Sequence, residues 1–252
     1  MPVADTDIVA YAAINKPTDD TSTNGGAIDA DERVVFTDLA ANDDVEVVSD
    51  NAADTMNITV TARNAAGETV SETVALNGTT AVILSTMGVV QRIQRALLAS
   101  DAAGIVTVRR SVAGLTIGTI PAGERGFRRL FINAVSDPDA GKNYYEKIFL
   151  KNTHATLSAL SATVTQSADP TGLVTHLLAA AVDDSATSTN RITAPGAGDT
   201  LDPDTFDDNS KAVPGTDLAA GSAIGVWLRL ALGTAEAPID STYTIALNFS
   251  TT

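Results

Sequence analysis

The residues best suited to chemistry are carboxylates in one aspartate-rich segment, residues 183–222. Ca²⁺ takes about six to eight oxygen ligands and accepts carboxylates readily. The candidate calcium ligands are Asp202, Asp204, Asp207 and Asp208, and Asp199 lies in the same cluster. The cluster of these aspartates lacks the glycine and the terminal glutamate of an EF-hand loop. A solvated loop whose charges repel one another is therefore the alternative interpretation.

The two histidines, His154 and His176, have no serine or carboxylate at a spacing typical of a catalytic site. Metal sites and catalytic triads need more groups than two histidines supply. The sequence also contains no G-x-S-x-G, P-loop, G-x-G-x-x-G or H-E-x-x-H motif. We therefore predict that the chain is not an enzyme and that it uses no cofactor.

The charge is distributed unevenly along the chain. The whole sequence carries a net charge of -15, whereas residues 85–135 hold seven arginines and two acidic residues, a net of +5. The overall charge excludes general binding of nucleic acid, which needs a positive surface. The basic band can bind an acidic protein surface, including a second copy of the chain, or it can pair with local carboxylates. The interface candidates in this band are Arg109, Arg110, Arg125, Arg128 and Arg129.

The only tryptophan, Trp227, alternates with the apolar row Val226, Leu228 and Leu230. It is a further interface candidate, because an exposed tryptophan supplies a large contact area at low entropic cost. Packing against a second sheet is the alternative. Tyr144 and Tyr145 allow the same two interpretations.

These side chains must be positioned by strands, because apolar and polar residues alternate with a period of two through much of the chain. Residues 146–166 predict a hairpin around the polar break 152–156, and residues 226–232 and 243–249 predict a second one. Residues 1–33 are rich in Pro, Gly, Asp and Thr and predict an extended arm. We expect an all-β fold: the arm (1–33), a first β module (34–130) and a second β-sandwich module (131–252), each Ig-like or jelly-roll-like.

The composition limits the compartment. There is no cysteine, so no disulfide stabilises the fold. The N-terminus has no basic region before its short apolar patch, and no run of about 18 apolar residues occurs. We expect folding in the cytoplasm and no membrane partner.

Three stretches resemble virion proteins of tailed bacteriophages. VEVVSDNAADTMNITVTARNAAGETVSETVALNGTTAV has the Thr- and Ala-rich texture of their strands. YYEKIFLKNTHATLSALSATVTQ and AAGSAIGVWLRLALGTAEAPIDSTYTIALNFS are similar to Ig-like sandwiches on phage capsids and tails. The resemblance covers most of residues 34–252 and includes no catalytic motif.

The resemblance implies a virion structural protein that is assembled in the bacterial cytoplasm. The first expectation is a capsid decoration, or cement, protein that binds the major capsid protein or other virion proteins as a homo-oligomer such as a trimer. A tail or baseplate adaptor is the alternative. A third hypothesis is a carbohydrate-binding module for host attachment that uses Trp227, Tyr144, Tyr145 and calcium.

Overall fold

The structure is a computed structural model that describes residues 1–34, 37–39, 41–111, 113–201, 205–236 and 242–251. Regular structure in these residues consists of one short 3-10 helix, Asp5–Asp7, and 17 strands, so the predicted all-β class is confirmed. The strands are β1 (Ile8–Asn15), β2 (Asn24–Arg33), β3 (Val45–Ser49), β4 (Asn57–Asn64), β5 (Thr69–Ala75), β6 (Val82–Ile83), β7 (Val90–Leu98), β8 (Val106–Arg110), β9 (Thr116–Ile120), β10 (Gly126–Arg128), β11 (Lys142–Asn152), β12 (Leu160–Ala168), β13 (Val174–Val182), β14 (Thr187–Ser188), β15 (Lys211–Ala212), β16 (Ala223–Leu232) and β17 (Thr244–Ser250).

The chain forms two compact units. The first contains residues 1–29 and 131–252, and the second contains residues 30–130. The predicted arm was wrong for residues 8–15, because β1 pairs antiparallel with β11, Ile8 opposite Asn152 and Ala12 opposite Ile148. Strand β1 contributes the buried residues Tyr11, Ala12 and Ala13 to the first unit. It is ordered by backbone pairing with a strand more than a hundred residues away.

The second unit has its strands in two sheets. In one sheet the last residues of β2 lie beside β10, followed by β7, β4 and β5; in the other the order is β6, β3, β8, β9. Their inner faces share one apolar core, and side chains alternate in and out of it. Along β4, for example, Ile58, Val60 and Ala62 have no exposed surface, whereas Thr59 and Thr61 point away from the core. The core fixes which side chains face outward.

The first unit also contains two sheets. One has the order β13, β16, β11, β1, β2, with β14 beside β2, and the other has the order β15, β12, β17. Strand β16 therefore has a neighbour on each edge, pairing antiparallel with β11 and with β13. Its first six residues, Ala223 to Leu228, are all buried, on both faces of the strand.

Both predicted hairpins of the first unit were wrong in their pairing. The strands exist, but β11 and β12 lie in different sheets, as do β16 and β17. The polar break after β11 makes a connection instead of a tight turn. Asn152, which is fully buried, donates its side-chain amide to the carbonyls of Leu157 (2.9 Å) and Leu218 (3.1 Å) and so ties this connection to a distant loop.

Candidate interaction surface

Two arginines of the basic band lie on β8 and form ion pairs with carboxylates within the second unit. Arg109 Nε donates to Glu46 Oε1 at 2.7 Å, and Arg110 donates to Asp43. These hydrogen bonds from Arg110 hold the pKa of Asp43 below its ordinary value. For these two arginines, pairing with carboxylates of the same chain is the interpretation that the structure supports.

The three arginines around β10 are also held by the second unit. Arg125 donates to the carbonyls of Leu98 (3.3 Å) and Ala99 (3.0 Å), and Arg129 donates to the Ile93 carbonyl (3.2 Å) and to Asp38. Arg128 is only 3% exposed. Their charges therefore stabilise backbone and carboxylate groups nearby, and Arg128 presents almost no surface to a partner.

The aromatic candidates lie in the core of the first unit. Trp227 and Tyr144 have no exposed surface, and Tyr145 is 8% exposed. Trp227 is buried because it lies on the fully buried half of β16. The structure thus favours core packing for Trp227, and the three rings form no exposed platform for a sugar.

The outer face of the larger sheet of the second unit brings together arginines from separate strands. Thr61 lies opposite Arg95 and Arg63 opposite Arg92 in the β4–β7 pairing, and Arg95 lies opposite Arg128 in the β7–β10 pairing. Residues directly opposite in a sheet project from the same face. Of these arginines, Arg63, Arg92 and Arg95 are half-buried and keep part of their surface in solvent.

Hydroxyl side chains continue this face toward the sheet edge. Thr59 and Thr73 lie 2.8 Å apart at their hydroxyl oxygens, and Thr61 and Ser71 lie 3.3 Å apart, across the β4–β5 pair. Each cross-strand pair of this kind contributes a few tenths of a kcal/mol to about 1 kcal/mol to the stability of the sheet. We call this surface the arginine–threonine face; its residues are Arg63, Arg92, Arg95, Thr59, Thr61, Ser71 and Thr73.

One carboxylate neutralises part of the arginine–threonine face. Glu32 lies opposite Gly126 in the β2–β10 pairing and accepts two hydrogen bonds from Arg95, both at 2.8 Å. A bidentate pair of this kind fixes the guanidinium plane. Among the residues named here, three partly exposed arginines, Arg63, Arg92 and Arg95, accompany this carboxylate, in a chain whose net charge is -15. The sign of these arginines suits an acidic partner.

The aspartate-rich segment gives no support to the calcium prediction in its described part. Asp202 and Asp204 lie outside the described residues, and among those described no group of three or more His, Cys, Asp or Glu side chains could hold a metal ion. Asp207 accepts hydrogen bonds from Lys211 (2.6 Å) and Asn209 (2.9 Å). Burial alone would raise the pKa of Asp207, but these hydrogen bonds outweigh burial and lower the pKa.

Both histidines have structural positions. His176 has no exposed surface and lies on β13, where its backbone amide donates to the Asp207 carbonyl at 2.9 Å. His154 Nδ1 accepts hydrogen bonds from the backbone amides of Thr156 (3.2 Å) and Leu157 (3.0 Å). Each side chain thus contributes to packing or to a turn in the first unit.

Sequence reasoning missed Arg63 as a surface candidate and grouped the other arginines by their proximity in the chain. Arg63 follows Thr59 and Thr61 at every second position of β4, so its side chain lies on the same outer face of that strand. Its pairing with β7 depends on strand register, which the sequence does not reveal.

No family model, no curated protein and no solved structure matches this chain. Among the described residues, no helix has the length and the apolar character needed to cross a membrane.

Proposed function

We propose that this chain is a virion structural protein of a tailed bacteriophage, and that it acts as a capsid decoration protein on the outer surface of the head. The observation that carries the proposal is the arginine–threonine face, a partly exposed polar and cationic sheet surface backed by a tightly packed sandwich core. Its partner in this proposal is an acidic surface on the major capsid protein or on another virion protein. The phage-like sequence texture supports the same class of function.

The physical reasoning for decoration rests on rigidity and repetition. A sheet face with few rotatable loops loses little entropy on docking, and each contact can be weak. A homo-oligomer, such as a trimer, presents several copies of the face to neighbouring capsid subunits. The effective concentration of the second and third contacts then raises the overall affinity.

The alternative function, a tail or baseplate adaptor, uses the same β units and differs in location. The carbohydrate-binding hypothesis depends on the rings of Trp227, Tyr144 and Tyr145, and these rings are buried in the core where a sugar cannot stack on them.

The binding surface is tested with a charge-matched pair of variants. Arg63→Glu reverses a charge on the arginine–threonine face, and Lys151→Glu makes the same charge change on β11 of the first unit; both side chains are half-buried. We expect Arg63→Glu to weaken co-sedimentation with capsids that lack the protein by about tenfold, which is about 1.4 kcal/mol. Lys151→Glu should bind as the wild type does.

Circular dichroism and thermal unfolding of both variants establish that each is folded. Binding should also fall as salt rises, because the contact is between exposed charges. Equal capsid occupancy for wild type, Arg63→Glu and Lys151→Glu at every salt concentration would show that this face is not the contact.

A further inference from the structure

Lys147 is buried in the first unit together with a carboxyl group. Its side chain, on β11, has no exposed surface, and that of Asp184, just after β13, is 11% exposed. Lys147 Nζ donates to Asp184 Oδ1 and also to the carbonyls of Gly26 (3.1 Å) and Ala186 (3.2 Å). The amine and the carboxyl group are therefore held in direct contact, away from bulk water.

Two aromatic rings and a glycine surround the Lys147–Asp184 pair. Lys147 Nζ lies 4.9 Å from the centre of the Phe149 ring and 5.3 Å from that of Trp227. A Cβ atom at Gly225 would lie 2.5 Å from Asp184 Oδ2 and 2.8 Å from Lys147 Cε. The pair fits only because position 225 is a glycine, so the contact is enforced from several sides.

The environment of the pair disfavours separate charges. Burial lowers the pKa of the Lys147 ammonium, against the opposing effect of the Asp184 hydrogen bond. Asp184 Oδ2 is buried and has no hydrogen-bond partner among the described residues, a costly environment for a charged oxygen. Amide formation needs Lys147 as the neutral amine and Asp184 as the neutral carboxylic acid, and an apolar environment tolerates such a pair better than two charges.

We propose that Lys147 and Asp184 join in an intramolecular amide bond, a covalent cross-link between β11 and the segment that follows β13. The lone pair of Lys147 Nζ attacks Asp184 Cγ, and the C–O bond to Oδ2 breaks. Oδ2 leaves as water and carries away one proton from the amine in addition to its own. The reaction is a condensation, so it needs no oxidant, reductant or second substrate.

The surrounding backbone groups match the needs of this step. The Ala186 amide donates to Asp184 Oδ1 at 2.9 Å, the oxygen on which negative charge develops during attack and which becomes the amide carbonyl. The carbonyls of Gly26 and Ala186 can accept the remaining N–H of the product. Oδ2, which no described group holds, is the oxygen that leaves.

The cross-link would close a chain loop between residues 147 and 184 around the core of the first unit. A covalent closure reduces the freedom of the unfolded chain and slows irreversible unfolding. This inference does not depend on the proposed virion function.

The test is the intact mass of the purified wild-type protein under denaturing conditions. We expect a mass about 18 Da below that of the unmodified chain, corresponding to one lost water. Proteolysis should then yield a branched peptide that joins Lys147 to Asp184. The more exposed pair Lys142 and Asp20, at 26% and 32% side-chain exposure, is the internal control and should stay unlinked.

Lys147→Arg and Asp184→Ala should each restore the unmodified mass, whether or not the variant is stable. An unmodified mass for the wild type would overturn the proposal and leave Lys147 as one half of a buried ion pair. A mass loss that maps to any other pair of residues would overturn it equally.

Discussion

Acidification should destabilise the first unit through His176. This side chain has no exposed surface, and burial together with the positive charge of Lys211 lowers its pKa from 6.5 to about 4. Asp207 and Asp208 act in the opposite direction but do not compensate. His176 is therefore neutral in the folded protein at a pH where it is protonated in the unfolded chain.

The sign and the size follow from proton linkage. As the pH falls below 6.5, the unfolded chain takes up a proton that the folded chain does not, so the free energy of unfolding decreases. At 1.36 kcal/mol per pKa unit, the full effect is about 3 kcal/mol, of which about 2 kcal/mol is lost between pH 6.5 and pH 5. The carboxylates whose pKa values are lowered, such as Asp54 and Asp169, contribute stability that is lost only below about pH 3.8.

Urea unfolding between pH 7 and pH 4.5, followed by tryptophan fluorescence, measures this effect. Trp227 is the only tryptophan, is fully buried and lies on β16, the strand beside His176, so its emission reports on the first unit alone. His176→Leu should remove most of the pH dependence in this range, whereas His154→Gln should keep it. Equal free energies of unfolding at pH 7 and pH 5 in the wild type would refute the reasoning.

Two further predictions concern the core of the second unit and are measured by urea unfolding with far-ultraviolet circular dichroism. Asp54→Ala should lower the free energy of unfolding by about 2–3 kcal/mol. The buried carboxylate accepts hydrogen bonds from Ser49 Oγ (2.6 Å) and from the backbone amides of residues 103 (2.7 Å) and 104 (3.0 Å). A decrease below about 0.5 kcal/mol would contradict this prediction. Gly118→Ala should lower the free energy of unfolding by about 1–3 kcal/mol, because the new Cβ would lie 2.6 Å from Phe127 Cζ. Thr119→Ala, on the exposed side of β9, should lower it less. Equal effects of the two substitutions would count against the packing described.

Alternation in the sequence located most strands because one face of each packs on a core. The stretches predicted as strands at residues 226–232 and 243–249, for example, lie on β16 and β17. Local signals of this kind depend on neighbouring residues only.

Pairing between distant segments could not be predicted, because alternation gives the faces of a strand and not its neighbour. For this reason the sequence predicts an arm where β1 lies, and a hairpin where β11 and β12 lie in different sheets. Trp227 is buried because the first half of β16 is covered on both faces, where the period of two no longer separates inside from outside.

The sequence also does not identify the carboxylates that pair with the basic band. Arg109 and Glu46 are 63 residues apart, and Arg129 and Asp38 are 91 residues apart, so the sequence leaves open whether these arginines bind a partner or pair within the chain. The fold brings these carboxylates to the arginines, and it brings Arg63 into line with Arg92 through strand register. Long-range register therefore decides which charges stay available to a partner.

The central claim, that this chain is a decoration protein on a phage head, is tested most directly by imaging particles of the virus that encodes it by electron cryomicroscopy, with and without the gene. The account predicts additional β-rich density at symmetry-related positions on the outer surface of the head, which disappears when the gene is deleted. Density confined to the tail would favour the adaptor alternative, and identical particles in the two preparations would contradict a structural role in the virion.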